Sequence, residues 1–436
     1  MDKFNKFMEE KFVPIASKIG ANRYLKALSI GSMSLMAIIM IGAIFSLLGN
    51  IPWDAYQSFI TSTGIKQLFS FAPKITTDLM AVYMVVGVAY NAAKIFNHED
   101  LAFNNTLLSL ASFMLLVPLK DVLEEGAFAP NTFIDMAYLG ARGIFLALIT
   151  GIIVTKIYCF IVDRKWTIKM PQGVPEQVSN AFISLIPAFL ILVLFSLIRI
   201  GFSLTSFGTA NDFIYKMLQT PLQNLASSLP TFIIIVLVSQ LLWFFGVHGS
   251  YTVLPIFIPI WMGYIGENTA AYSAGKAVPF IFNVGLFNLT TLGGCGTTIG
   301  LVLSMLFFAK SKRYKAFSKI VAPCGLFNVN EPVVFGMPLM LNPVTIIPFM
   351  ITPLIVLLLA YLAIKFNFMP APVGLMIPSS TPPIISGLMQ GSWKISVFEV
   401  FVILLSAGIY FPFFRILDNQ ALKEEALAEE VMKENK

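Results

Sequence analysis

The sequence predicts an all-α polytopic membrane protein, with about ten transmembrane helices and with re-entrant hairpins and broken helices in its C-terminal half. Three observations lead there. Of the 436 residues, 57% are hydrophobic and only 12% are charged, about half the charged share of a soluble globular domain, and the mean hydropathy is +0.80. Apolar runs close to the roughly 20 residues that a membrane-spanning helix needs recur along the chain, among them Ala27 to Leu48, Val178 to Ile200, Ile346 to Ala363 and Val397 to Phe414. Beyond Pro230 such runs are interrupted by Gly, Pro, Asn and Thr, as helices broken at membrane depth would be.

The elements follow in order. Phe4, Phe7, Met8, Phe12 and Ile15 recur at helical spacing between lysines, which predicts an amphipathic helix on the membrane surface. The charged stretch around them is too long, and the next apolar run too full, for a cleavable signal peptide, so a retained N-terminus is expected. Spans are expected near 27–48, 75–96, 101–118, 144–163 and 178–200. Lysine and arginine in short loops mark the cytoplasmic side. That rule assigns to the cytoplasm Lys3 to Lys26, Arg164 to Lys169 and Lys310 to Lys319, whereas Trp53 to Phe71, Asp121 to Asp135 and Ser203 to Ser228 read as external loops with short amphipathic pieces. The segment "RKWTIKMPQGVPEQ" (Arg164 to Gln177) is the most polar internal connector and reads as a linker.

The resulting division is 1–177 as scaffold and dimerisation spans, 178–229 as a fifth span with an external connector, 230–415 as the transport region, and 416–436 as a charged cytoplasmic tail helix. Both termini are expected in the cytoplasm.

The formal charge of +6 invites a nucleic-acid partner, but the basic residues sit in loops between apolar runs, and topology accounts for them. The three cysteines, Cys159, Cys295 and Cys324, share no metal-ligand or disulfide spacing. No metal or other cofactor is expected. The glycine-rich "GGCGTTIG" lacks the lysine of a phosphate-binding loop, which argues against an ATP-driven pump.

The chemistry-bearing residues lie where the pattern degrades: "FFGVHGSYTVLPIFIPIW", "NVGLFNLTTLGGCGTTIG", "FNVNEPVVFGMPLMLNP" and "PAPVGLMIPSSTPPIISG". Irregular backbone at membrane depth survives only where protein or a wet cavity satisfies it. Of the two histidines, His98 in "KIFNHED" reads as a solvated loop residue, whereas His248 lies between glycines in "WFFGVHGS", after an apolar run. An ionisable residue inside the membrane marks a pathway or cavity, and Glu331 in "NVNEPVV" is such a residue. Pro332 suits the first position of a helix, which would make Glu331 its cap.

A fixed carboxylate accepts hydrogen bonds from vicinal hydroxyls and a histidine donates or accepts, a pair suited to a sugar. The competing readings are a glutamate satisfied by backbone N–H groups and a packed histidine. Trp243 reads equally as an aromatic platform for a sugar face and as an interfacial anchor. Trp53, Trp166, Trp261 and Trp393 read as belt residues, and Asn283, Asn288 and Asn342 as helix-to-helix hydrogen bonds.

The motifs "WFFGVHG", "FNVNEPVVFGMPLMLNP" and "PPIISG", in this order and across the whole length, resemble the membrane component (enzyme IIC) of the lactose/cellobiose/diacetylchitobiose group of phosphoenolpyruvate-dependent sugar phosphotransferase systems. The resemblance implies a bacterial plasma-membrane protein and a homodimer, with an interface from the first half and a sugar site in the second, which moves like an elevator. It implies that His248 and Glu331 hold the sugar near the hydroxyl to be phosphorylated, with Trp243 and Asn330 beside them. The phosphate would come from a IIB cysteine, on a separate chain by the lack of a following soluble segment, and upstream from IIA and HPr. Relatives carry P-W-T-x-P-P where this chain has "IPSSTPP", with Ser379 and Ser380, so the substrate expected is a β-linked disaccharide of cellobiose, diacetylchitobiose or lactose type. The alternative is an ion-coupled sugar transporter with Glu331 and His248 as a proton relay.

Overall fold

Apolar runs become helices because a chain in lipid must satisfy its own backbone, and an α-helix does so within one segment. The computed structural model describes residues 18, 21–49, 54–122, 131–171, 173–244, 248–337, 339 and 342–434. The expected N-terminal surface helix and Trp53 lie outside the described residues, as do Gly246 and Val247.

In chain order the helices are α1 (Arg23–Met33), α2 (Met36–Gly49), α3 (Asp54–Ser62), α4 (Ile65–Ile75), α5 (Met80–Ile95) and α6 (Ala102–Leu116). A hairpin of β1 (Leu119–Val122) and β2 (Asn131–Ile134) follows. Next come α7 (Ile144–Asp163), α8 (Glu176–Ser203), α9 (Ala210–Ile214), α10 (Thr220–Ala226), α11 (Leu229–Phe244) and α12 (Gly249–Ser273). The remainder is α13 (Val284–Leu289), α14 (Ile299–Phe308), α15 (Lys312–Leu326), α16 (Glu331–Gly336), α17 (Pro343–Lys365), α18 (Ile385–Met389) and α19 (Trp393–Glu434). Among the described residues, 6 helices are long and apolar enough to cross a membrane: Arg23–Ser46, Ile65–Ile95, Ala141–Asp163, Glu176–Ser203, Val344–Lys365 and Trp393–Ala428.

Two compact units form. One holds Ile19–Ala226 with Leu254–Pro279. Small residues let its helices approach: a Cβ on Gly31 of α1 would lie 2.5 Å from the Val88 Cα of α5, and one on Gly87 would lie 2.6 Å from the Gly31 carbonyl oxygen. The buried Asn105 amide of α6 donates to Ala89 O of α5 at 3.0 Å and to Thr155 Oγ1 of α7 at 2.9 Å, joining three helices. Arg199, an ionisable group inside α8, is satisfied by the carbonyls of Leu115 and, at 3.1 Å, Val117.

Several expectations change here. The segment Asp121 to Asp135, read as loop with amphipathic pieces, contributes to a two-stranded antiparallel hairpin in which Leu119 pairs with Ile134. The four residues "NTFI" include the strand formers Thr132, Phe133 and Ile134 and are too few for a helix. Asp135 closes the hairpin, its carboxyl held below the usual range by the Ala137 N–H and by Lys120. His98 is not a solvated residue: its side chain is largely buried, with Nε2 3.1 Å from Asp163 Oδ1. Trp261 is fully buried in the middle of α12, not in a belt at a span end.

The other unit holds Ser227–Val253 and Phe280–Lys436. Its core packs Leu301, Val302 and Met305 of α14 against Tyr410, Phe414 and Leu417 of α19 and Val333 and Val334 of α16. The predicted breaks occur after α11, between α13 and α14, before α16 and before α18. Pro255 and Pro259, in contrast, are carried inside α12 without ending it. Asn342 caps α17 instead of bonding across helices, and Asn283 caps α13 through its oxygen while its NH2 group donates to Pro372 O at 2.8 Å in an irregular segment. The charged tail is helical as expected, but as the continuation of α19 and not as a separate helix.

Candidate functional site

His248 is delivered by the break between α11 and α12. Gly249 must be glycine there, since a Cβ would fall 1.8 Å from the Ser239 carbonyl oxygen on α11. The close approach lays the Trp243 ring against the imidazole, centroids 4.3 Å apart. Trp243 is 2% exposed and stands behind His248 in this structure.

Glu331 is delivered by the turn between α15 and α16. It is the first helical residue, not the cap that Pro332 suggested: Asn330 occupies the cap position. The Asn330 side chain makes no capping bond and instead donates to Cys295 O at 2.7 Å. The reason is steric and local. Gly294, at φ 98°, lets the "GGCG" loop come so near that a Cβ on it would lie 2.3 Å from the Asn330 Cγ.

The two predicted ligands meet. His248 Nε2 lies 3.7 Å from Glu331 Oε1, with 31% and 44% of the side chains exposed. A carboxylate offers about four acceptor sites, so with one oxygen toward His248 the group still accepts from further hydroxyls, while the imidazole supplies a donor or, in its other protonation state, an acceptor. Beneath them, Ser250 and Cys295 are 3.0 Å apart, Oγ to Sγ. Trp243, His248 and Glu331 thus converge, and Asn330 supports the turn as a buried brace, 3% exposed.

Sequence reasoning missed the residues that hold the broken segments together. Asn328, at φ 58°, accepts from Gly293 N at 2.7 Å and donates to Ser379 O and Thr381 O at 3.0 and 2.8 Å. Gln390 closes the 370–378 stretch by accepting from Gly374 N and Leu375 N and donating to Leu375 O. Glu399 of α19 accepts from Ile384 N at 2.5 Å, Ser386 Oγ at 2.6 Å and Gly387 N at 3.1 Å, fixing Ile384 at φ 76°. The signal for Glu399 was in plain view: a lone carboxylate in "SVFEVFVILL" obeys the same rule that singled out Glu331.

Residues 30–353 match the model of the family described as "Phosphotransferase system, EIIC". The chain is similar to the lichenan permease IIC component of Bacillus subtilis (strain 168), with 35% identity over 98% of this chain and 96% of that one. It is also similar to the oligo-beta-mannoside-specific EIIC component of the same organism, with 36% identity over 97% of each chain. Among solved structures it resembles the transporter ChbC, the IIC component of the N,N'-diacetylchitobiose-specific phosphotransferase system, at TM-score 0.89 and 32% identity, over 96% of this chain and 99% of that one. The chain therefore belongs to the phosphotransferase system EIIC family, the membrane-embedded sugar-transporting components that work with IIB, IIA and HPr.

Proposed function

We propose that the protein binds a β-linked disaccharide from outside the cell through Glu331 and His248 and presents one of its hydroxyls for phosphorylation by a IIB partner during uptake. The observation that carries this reading is the approach of His248 to Glu331 on two separate helix breaks, each side chain partly exposed. Glu331 accepts from sugar hydroxyls, His248 donates to or accepts from a neighbouring one, Trp243 fixes the imidazole, and Asn330 fixes the turn. The β-linked class is supported by relatives whose names specify lichenan, oligo-beta-mannosides, cellobiose and N,N'-diacetylchitobiose, the last two being disaccharides.

We further propose about ten spans, the shorter apolar helices Ala102–Leu116 and Cys295–Phe308 contributing to spans or re-entrant hairpins. Both termini are placed in the cytoplasm, residues 1–177 in a homodimer interface, 178–229 as the connector, and 230–415 as the moving transport region.

Two measurements test the reading. The purified protein is titrated with cellobiose, lactose, diacetylchitobiose and glucose; binding of a disaccharide and not of glucose is expected. In vesicles with IIB, IIA, HPr and phosphoenolpyruvate, accumulation of sugar phosphate that is indifferent to an ionophore is expected. Binding of glucose alone would overturn the disaccharide assignment, and unmodified sugar accumulating on a proton gradient would overturn the phosphorylating mechanism.

A further inference from the structure

The turn that carries Glu331 is tied to two other broken segments by one side chain. Asn328 sits three residues before Glu331 in the left-handed region, at φ 58°, where asparagine is several-fold enriched among non-glycine residues. Its carbonyl oxygen takes the Gly293 N–H of the glycine loop, and its NH2 group donates to the carbonyls of Ser379 and Thr381. Asparagine alone suits this place: aspartate lacks the donor, glycine lacks both groups, and an aliphatic residue resists the backbone.

The partners are themselves fixed. Gly293 O accepts from Thr298 Oγ1 at 2.6 Å, and Thr297 Oγ1 donates to Thr290 O at 2.8 Å, so the loop is bonded at both ends. Beyond Thr381, Ile384 is held at N by Glu399 and at O by Ser396 Oγ, 2.7 Å away. The Asn328 bonds therefore join the turn before α16 to two anchored segments of irregular backbone. They set the direction in which the chain enters α16, and Glu331 is the first residue of α16.

We propose that Asn328 is a positioning residue for Glu331: by locking the 327–330 turn to the Gly293 loop and to the Ser379–Thr381 segment, it holds the carboxylate where sugar hydroxyls meet it. The proposal rests on the reading of Glu331 as a sugar ligand. It assigns to the "SST" segment a backbone role that the side chain at 379 does not enter, because only carbonyls are used.

The test is a double-mutant cycle on the purified full-length protein, reading the dissociation constants for cellobiose, lactose and diacetylchitobiose together with the thermal midpoint. N328G keeps the left-handed backbone without the bonds, and N328D keeps the acceptor for Gly293 while placing a carboxylate against two carbonyls. Each is made alone and with E331Q, and with E331D where E331Q binds too weakly to titrate. Both single variants are expected to weaken the tightest-binding sugar by about tenfold. In the Glu331-substituted background the same changes are expected to cost less than about twofold. Equal weakening in both backgrounds, or unchanged affinity in N328G, overturns the positioning role while leaving Glu331 a ligand. Unchanged affinity in folded E331Q overturns the ligand reading itself, and the positioning role with it.

Discussion

The Trp243 ring lies 4.3 Å from the His248 imidazole, centroid to centroid, with the planes inclined at 49°, the tryptophan buried and the histidine partly exposed. The buried indole stands behind a partly exposed imidazole beside a helix break and limits how far the ring can swing. W243A therefore removes the back wall; loss of a buried tryptophan costs about 3–5 kcal/mol, and a lower thermal midpoint with weaker sugar binding is expected. W243F restores much of the wall and should recover part of both. Sugar affinity in W243A equal to that of the parent protein would show that the imidazole needs no support.

E331Q keeps the size of the side chain but converts one acceptor oxygen into a donor. A hydrogen bond to a charged group contributes about 1.5–3 kcal/mol, so E331Q is expected to weaken the sugar by roughly tenfold to a hundredfold and to abolish phosphorylation by IIB. H248A should impair both, less severely in binding. Isothermal titration of folded variants and single-turnover transfer from phosphorylated IIB separate the two effects.

G249A tests the delivery of His248. A Cβ 1.8 Å from Ser239 O cannot be accommodated without moving α11 from the start of α12, and overpacking of this kind costs about 1–3 kcal/mol. Reduced binding with a lowered midpoint is expected. G201A, where an added Cβ meets nothing within 4 Å, is the control and should leave both unchanged.

Asp418 is fully buried in the second half of α19 and accepts from Lys310 N, Ser311 N and Ser311 Oγ at 2.9, 3.0 and 2.8 Å. Glu425 accepts from the next two N–H groups, those of Lys312 and Arg313. D418A leaves buried donors without an acceptor, a penalty of about 1–3 kcal/mol. Faster tryptic cleavage at Lys310, Lys312 or Arg313 is expected, with sugar affinity retained.

Much of this was legible in the sequence because lipid leaves few choices: apolar runs had to be helices, and the cluster of Gly, Pro and Asn after Pro230 had to mark breaks. The motif residues were legible for a related reason, since Glu331 and His248 are polar groups where polar groups are costly. What was not legible depended on who comes near. Pro332 correctly announced a helix start, yet the cap is Asn330, one residue earlier than expected, and its amide is tied to the Cys295 carbonyl, 35 positions upstream and out of sight in the local sequence. Pro255 and Pro259 looked like breaks and are not, as neighbouring segments compensate for prolines in membrane helices. His98 looked solvated because its partner, Asp163, lies on another helix. Asn328 carried only a faint local sign, a residue that tolerates left-handed backbone next to a motif.

Helix α19 is a single element from Trp393 to Glu434. Glu399 near its beginning grips the turn at 384–387, and Asp418 grips the start of α15. Their separation of 19 positions corresponds to about 28 Å of helix, close to the thickness of a bilayer's hydrocarbon core. The two grips are thus mounted on one helix, with Pro412 between them. A single helix therefore fastens both the irregular turn at 384–387 and the basic start of α15, so neither can shift without the other's anchor being felt along the same rod.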